Sequence, residues 1–274
     1  MNEKLTLFLK QFKGLINMKN FLMLIYIIIC SSSLVQSQNT DSLMKSGREL
    51  LETGSTYFDQ VSLIQAEEKF QEVLDIDGSN YLAQYLLAYT DYRLAVYYLE
   101  DKDIEHFNNY ISICENELNS LLDSNDTDVE ALSLLSSAYG EQIRQKPETA
   151  EALAPKALEL MKEADKIDPE NPRVQFLTGK LLLTLPKKFG GDKNKSLIHL
   201  QKAIKLFEEG NEADDEIGWG YIFALTWLGI NYSEINDYQS AIDTYNKALE
   251  VDPDFVWINN TLLPGVSAKL NKGE

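Results

Sequence analysis

Apolar residues recur at intervals of three and four along most of the chain after residue 40, which is the spacing of one face of an α-helix. The segment 104–121 shows it clearly, with apolar side chains at Ile104, Phe107, Ile111, Cys114, Leu118 and Leu121. Glycine and proline, which form turns and end helices, number only 14 and 7 among 274 residues. The pattern predicts an all-α protein and makes Cys114 a small core residue rather than a nucleophile.

These helical segments repeat with a period of 34 residues, seen best from Ile222 onward. Positions 7, 8, 11, 20, 24, 27 and 32 of this repeat are Leu228, Gly229, Tyr232, Ala241, Tyr245, Ala248 and Pro253. A repeat that starts at Gly47 places Gly54, Tyr57, Ala66, Phe70 and Val73 at positions 8, 11, 20, 24 and 27. Small residues at positions 8 and 20 let two antiparallel helices approach closely, and the aromatic residues fill the space around that contact.

The middle of the chain fits the same period with insertions. A second repeat from Tyr81 needs about 7 extra residues before its second helix, and a third starts near Val129. The fourth has Gly179 and Ala203 on either side of an insert, 186–192, which we expect to form an exposed loop because Pro186 and two glycines cannot continue a helix. Asp192 is expected to cap the helix that follows.

The signature positions resemble the tetratricopeptide repeat (TPR) over roughly residues 45–255. This resemblance implies a right-handed α-solenoid of about five helix pairs. We assign it to residues 42–253, with a capping helix at 254–274 that is broken at Pro264-Gly265. Asn171-Pro-Arg, the 186–192 insert and Gly218-Trp-Gly resemble exported bacterial TPR proteins of unknown role. More distantly, the chain is similar to the TPR component of periplasmic TRAP-type transport systems.

The first 37 residues have the organisation of a secretory signal peptide, and Met18 is an alternative start. An apolar run at 21–30 follows Lys19 and is too short to span a bilayer. Ser37 places a small residue before a possible cleavage point. We therefore expect an exported protein, periplasmic or secreted, with no membrane span after cleavage. A lipid anchor at Cys30 is disfavoured by the bulky Ile29 before it, and an uncleaved anchor is a further alternative.

Charge narrows the range of partners. The chain carries a formal net charge of −18, and a polyanion of this size repels nucleic-acid phosphates, so nucleic-acid binding is not expected. Neither His106 nor His199 has further ligands at metal-binding spacing, and the sequence contains no Gly-x-Ser-x-Gly motif. We therefore expect no catalytic residues, no metal and no cofactor, and we interpret the chain as non-catalytic.

In TPR arrays, positions 2, 5, 9, 12 and 13 face the concave groove, and the resemblance implies the same here. Those positions hold Arg48, Phe58, Tyr85, Tyr89, Tyr92, Arg93, Arg173, Phe176, Lys180 and Phe223. Three of the four arginines of the chain are in this set, which favours an anionic or carboxylate-bearing ligand held between tyrosine rings. The alternative is that the tyrosines simply pack within and between repeats.

The expected function is an exported scaffold that binds a partner protein or peptide in its concave groove. The alternative is a periplasmic small-molecule carrier, or a transport-accessory protein, that binds an anionic ligand in the same groove. In both cases the insert is expected to contribute less to binding than the groove.

Overall fold

A computed structural model of the chain describes residues 39–210 and 217–272. This part of the chain consists of helices and their connections, without a strand. The helices are α1 (39–57), α2 (Gln60–Ile76), α3 (Tyr81–Glu100), α4 (Ile104–Ser124), α5 (Val129–Gln145), α6 (Ala150–Ile167), α7 (Pro172–Thr184), α8 (Lys193–Glu209), α9 (Tyr221–Glu234), α10 (Tyr238–Val251) and α11 (Leu263–Lys272). The predicted all-α class is confirmed.

The helices pack as consecutive pairs, α3 with α4, α5 with α6, α7 with α8, and α9 with α10. The first helices of successive pairs also contact one another, α3 with α5, α5 with α7, and α7 with α9. This arrangement is a solenoid, in which the first helices line the inner, concave face and the second helices lie outside.

Small residues sit at the helix crossings that the repeat frame predicted. A Cβ atom added to Gly54 would lie 2.6 Å from Leu63 Cγ, and one added to Gly179 would lie 2.6 Å from Leu200 Cγ. At Gly229 the added atom would overlap the ring of Tyr245. At these three crossings glycine is required at position 8, because the second helix of the same pair passes over it.

Short polar residues cap the helices where one element turns into the next. The N-terminal caps are Asp59, Asn80, Asp103, Asp128, Asn171, Asp192 and Asp237, each accepting a backbone N–H of the first turn. The predicted capping role of Asp192 is confirmed, since its carboxylate accepts the N–H groups of Asn194 at 3.0 Å and Lys195 at 3.1 Å. Such caps stabilise a helix by about 1 kcal/mol each.

The insert leaves the solenoid as predicted, because α7 ends at Thr184 and α8 begins only at Lys193. Pro186 is exposed, Gly190 takes a φ of 102°, and Phe189 folds back against the core with Lys188 over its ring. Cys114 is fully buried, as expected.

The C-terminal segment corrects one prediction. Pro264 and Gly265 do not break the last helix; both lie in the first turn of α11, after a π-helical turn over Ile258–Leu262. Residues 256–272 are helical without a gap, and Pro264 lies just after the π-helical turn, where the regular hydrogen-bond pattern of the helix is already interrupted. Within the described residues, no helix is both long and apolar enough to cross a membrane.

Candidate functional site: the concave face

Nine of the ten residues predicted to line the groove lie on α1, α3, α7 and α9, the first helices of their pairs, and most of the ten are buried. The buried ones are Tyr85, Tyr89, Tyr92, Arg173, Phe176, Lys180 and Phe223. Arg48 and Arg93 are half-buried, and Phe58 is exposed at the edge of the first repeat, where its ring lies 5.0 Å from that of Tyr97.

A buried ion pair joins α5 to α7 at one level of this face. Arg173 Nε lies 2.9 Å from each carboxylate oxygen of Glu130, and both side chains are more than nine-tenths buried. Tyr85 Oη donates to Glu130 at 3.3 Å, and Asn171 Nδ2 donates to it at 2.8 Å. Glu130 therefore has donors from α3, from Arg173 and from the cap of α7, and its charge is compensated inside the protein.

A second buried pair lies further along the same two helices. Lys180 Nζ lies 2.6 Å from Glu141 Oε1, Arg144 Nε lies 2.7 Å from Glu141 Oε2, and Tyr92 Oη donates to Glu141 at 3.0 Å. Burial alone would raise the pKa of Glu141, but Lys180 and Arg144 outweigh it and lower that pKa to about 2. For Lys180, burial lowers the pKa but the attraction of Glu141 prevails, so its pKa is raised.

The segment before α9 covers the remaining aromatic surface. The indole ring of Trp219 stacks on Tyr89 with 4.0 Å between ring centres and 8° between planes, and its edge faces Phe176 at 6.4 Å. Arg173 Nη1 donates to the backbone carbonyl of Trp219 at 3.3 Å. Trp219 Nε1 is buried and has no hydrogen-bond partner among the described residues. A segment of the chain thus occupies the face that was expected to hold a ligand.

Contacts between distant repeats narrow the concave face further. Arg93 of α3 lies over the ring of Phe223 of α9, 4.5 Å from its centre, and Arg93 Nη2 donates to the carbonyl of Ser55 at 3.3 Å. At the outer edge, the carboxylates of Asp254 and Asp252 raise the pKa of Tyr57, so the first repeat lies close to the end of the fifth. A depression of about 10 Å³, lined by Ser137, Gly140, Glu141, Arg144, Lys180, Leu181, Thr184 and Trp227, has room for about one water molecule.

The prediction of an open groove for an anionic ligand is therefore wrong for this structure. Tyr85 and Tyr92 donate hydrogen bonds to the glutamates of α5, as expected if the tyrosines pack between repeats. The ring of Tyr89 is covered by that of Trp219. Arg173 and Lys180 are neutralised by Glu130 and Glu141 and offer no free charge to an anion.

Three important residues of this face were missed. Glu130 and Glu141 occupy positions 2 and 13 of the third repeat, counted from Val129. Both are groove-facing positions, so the numbering that selected the basic residues could have selected these two acids as well. Trp219 lies in the connection between repeats, which the frame does not cover. Elsewhere in the described chain no group of three histidine, cysteine or acidic side chains is placed to hold a metal ion.

Comparison with known proteins identifies the repeat. Residues 222–255 match the tetratricopeptide repeat family. These residues are a TPR repeat. This match begins at Ile222, the residue from which the repeat frame was counted, so the predicted resemblance is confirmed. None of the curated proteins matches the chain.

Two solved structures share the TPR-like fold over most of their length. The first is TTC0263, a thermophilic TPR protein of Thermus thermophilus, with a TM-score of 0.56 and 18% identity over 82% of this chain and 99% of that one. The second is the haemophore HusA of Porphyromonas gingivalis, with a TM-score of 0.54 and 22% identity over 71% of this chain and 92% of that one. At these identities the likeness concerns the fold.

Proposed function

We propose that this protein is a non-catalytic scaffold whose concave face binds an extended segment of a partner protein. The observation that carries the proposal is the position of Trp219. The chain places its own aromatic residue on Tyr89 and its own backbone carbonyl against Arg173, as a bound peptide would be held. The tetratricopeptide fold supports a scaffold role, since such solenoids present long concave surfaces.

The occupied face indicates which partner segment would fit. Tyr89 and Phe176 form an aromatic surface for one large flat side chain, and buried aromatic anchors commonly dominate peptide recognition. Arg173 supplies a donor for a backbone carbonyl rather than a free charge for an anion, because Glu130 already compensates it. The partner segment is therefore uncharged at its anchor and carries an aromatic residue, and it replaces the segment around Trp219.

A peptide-binding experiment tests this proposal. A capped peptide with the sequence of residues 217–221, Ile-Gly-Trp-Gly-Tyr, is titrated by calorimetry into the Trp219→Ala protein. We expect binding with a dissociation constant of roughly 1 mM or tighter, and at least tenfold weaker binding to the wild-type protein, where the site is occupied. Adding Tyr89→Ala to the Trp219→Ala protein should abolish the binding.

Trp257→Ala is the matched control, because the ring of Trp257 contacts Trp227 and not Trp219 or Tyr89. This variant should bind the peptide no better than wild type. Circular dichroism establishes that each variant is folded. A folded Trp219→Ala protein that does not bind the peptide, or one that binds equally well without Tyr89, would contradict the proposal.

We also propose that the protein is exported and acts outside the cytoplasm. The support is the sequence of residues 1–37, which lie outside the described residues. Mass spectrometry of the protein recovered from its native host should give an N-terminal peptide that begins near Gln38. Soluble protein that retains residues 1–37 would contradict export with cleavage.

The alternative of a carrier for an anionic ligand loses much of its support, because Arg173 and Lys180 of the concave face are paired with glutamates. HusA is a haemophore with a similar fold, but a likeness at 22% identity does not transfer a ligand. A native mass spectrum of the purified protein separates the two functions, since a carrier would retain a small molecule and a scaffold would not.

A further inference from the structure

A separate cavity of about 640 Å³ opens on the outer side of the solenoid, away from the concave face. It lies between α2 and α4, the second helices of the first two repeats, and α3 forms its floor. Asp91 and Leu87 belong to the floor, and the walls include Ile64 and Glu67 from α2 and Ile113 and Glu117 from α4. Its volume is within the range of small-molecule sites, roughly 300–1,000 Å³.

The repeat frame explains why a cavity exists here. Counted from Tyr81, Asp91 is position 11 of the second repeat, where the third and fifth repeats have Tyr139 and Tyr232 packed against the core. An aspartate is much smaller than a tyrosine and leaves the space beneath the second helices unfilled. The smaller residue at this position thus leaves room for the cavity between the second helices.

Asp91 is buried without a cation. Its side chain is 1% exposed, and its Oδ1 atom has no hydrogen-bond donor among the described residues. Glu117 Oε2 is in the same situation, and in the described part of the chain no ion pair involves Asp91, Glu117 or Glu67. An unpaired buried carboxylate is strongly unfavourable, so its presence requires an explanation.

The side chains of Asp91 and Glu117 interact directly, and their surroundings favour the protonated form of both. Burial and the neighbouring Glu117 raise the pKa of Asp91, and burial raises the pKa of Glu117 and of Glu67. Tyr110 and Cys114 of α4 also interact with Asp91, and their own pKa values are raised as well. The α2 wall of the cavity carries three further acids, Glu68, Glu72 and Asp75, of which Glu72 is paired with Lys69. No basic side chain acts on Asp91 from α2 or α4.

We propose that this acidic cavity binds an organic cation, an alkylammonium or guanidinium group carried on an apolar stem. Asp91 and Glu117 would accept the N–H groups of the cation at the floor, and Ile64, Leu87 and Ile113 would contact the stem. A space of about 640 Å³, lined mainly by acidic side chains with Ile64, Leu87 and Ile113 among them, suits such a molecule better than a bare metal ion, which needs six or more oxygens at about 2.0–2.6 Å. The proposal concerns a different surface from the concave face and is independent of the scaffold function.

The cation would replace the proton that Asp91 and Glu117 share. Binding therefore releases a proton, and the affinity should rise with pH while the carboxyl groups remain protonated in the free protein. A nonspecific attraction to the acidic outer surface has no such linkage, because exposed carboxylates are already ionised at neutral pH. The pH dependence thus distinguishes the buried site from the general charge of the protein.

Calorimetric titration with agmatine, which carries a guanidinium group and an amine on a four-carbon stem, tests the proposal on the chain from residue 38. We expect saturable binding of one agmatine per chain, several-fold tighter at pH 8 than at pH 6. Asp91→Asn should weaken it at least tenfold, and Asp91→Tyr, which restores the aromatic residue of the other repeats, should abolish it. Glu209→Gln, an exposed acid of α8, is the matched control and should change nothing.

Two further titrations distinguish the source of the cation. An arginine residue inside a capped tripeptide tests whether the group can come from a partner protein, and binding of agmatine alone would assign the site to free amines. Tighter binding of calcium chloride than of agmatine, or the absence of agmatine binding to the folded wild-type chain, would overturn the proposal. If Asp91→Tyr fails to fold by circular dichroism, Asp91→Asn and Glu117→Gln decide the outcome.

Discussion

The guanidinium carbon of Arg93 lies 4.5 Å from the ring centre of Phe223, although the two residues belong to the second and fifth repeats. Contact between side chains so far apart in the repeat order means that the solenoid curves tightly enough for its inner helices to approach one another. The concave face is consequently filled by the chain itself, with ion pairs between α5 and α7 and with Trp219 on Tyr89.

Replacing Arg173 by methionine should destabilise the fold strongly, because Glu130 would remain buried without a cation. We expect a loss of about 3–5 kcal/mol in the free energy of unfolding, measured by urea denaturation. Lys202→Met is the control, since Lys202 pairs with the exposed Glu170 and such surface pairs contribute about 0–1 kcal/mol. Equal losses in the two variants would show that the buried pair does not have this role.

Adding a methyl group at Gly229 should also destabilise the protein, because it would overlap the ring of Tyr245 and force the α9–α10 pair apart. Gly229→Ala is expected to lower the unfolding free energy by about 1–3 kcal/mol. Gly265→Ala is the matched control in α11, where nothing lies within 4 Å of an added Cβ atom. There the better helix propensity of alanine should be neutral or stabilise by up to about 1 kcal/mol.

The lowered pKa of Glu141 predicts a loss of stability in acid. A carboxyl group whose pKa is lower in the folded state stabilises the fold above its ordinary pKa of about 4.5, and that contribution disappears as the pH falls towards about 2. Lys180→Met removes one of the two cations that lower this pKa, so the melting temperature of the variant should fall less steeply between pH 5 and pH 2. Thermal melts across this range, with Lys205→Met on the surface as control, measure the difference.

The raised pKa of Asp91 has the opposite effect on the pH dependence of stability. Its carboxyl group keeps its proton longer in the folded than in the unfolded chain, so stability should decrease as the pH rises above the ordinary pKa of about 3.8. Asp91→Asn has no proton to lose and should be more stable than wild type at pH 8, with a smaller difference at pH 4. An identical pH profile for the two proteins in urea denaturation would show that the acid is not buried as described.

Cys114 should be chemically inert in the native protein. Its side chain is fully buried, and burial raises the pKa of its thiol well above the ordinary value, which leaves almost no thiolate. Ellman's reagent should therefore modify it only at the rate at which the protein unfolds, and immediately in urea. Rapid reaction under native conditions would mean that α4 opens independently of the rest.

Much of the architecture followed from the sequence. Gly54, Gly179 and Gly229 indicated the helix crossings because a close approach of two helices tolerates no side chain, and this is a local requirement visible in a 34-residue frame. The helix cap at Asp192 and the insert after Pro186 could be predicted for the same reason, because each residue affects the backbone of the residues next to it in the chain. The break expected at Pro264 was wrong because the effect of proline depends on its place in the helix, which only the structure defines.

Whether the concave face is an open groove or is filled by side chains of the protein itself depends on the tertiary structure. The repeat frame indicates which side chains turn inward, but not how tightly the solenoid curves, and curvature accumulates from small rotations between successive helix pairs. Direct packing of α5 on α7 brings Glu130 to Arg173 and Glu141 to Lys180, whereas curvature over several repeats brings Arg93 to Phe223. The connection before α9 places Trp219 on Tyr89. The sequence thus determined which basic and aromatic side chains of the repeats turn inward, whereas the tertiary structure determined that Glu130, Glu141 and Trp219 bind them instead of leaving an open groove. The cavity at Asp91 also depends on the tertiary structure. The sequence shows an acidic residue at a repeat position where other repeats have tyrosine, but the burial of Asp91 results from the packing of α2, α3 and α4 around it.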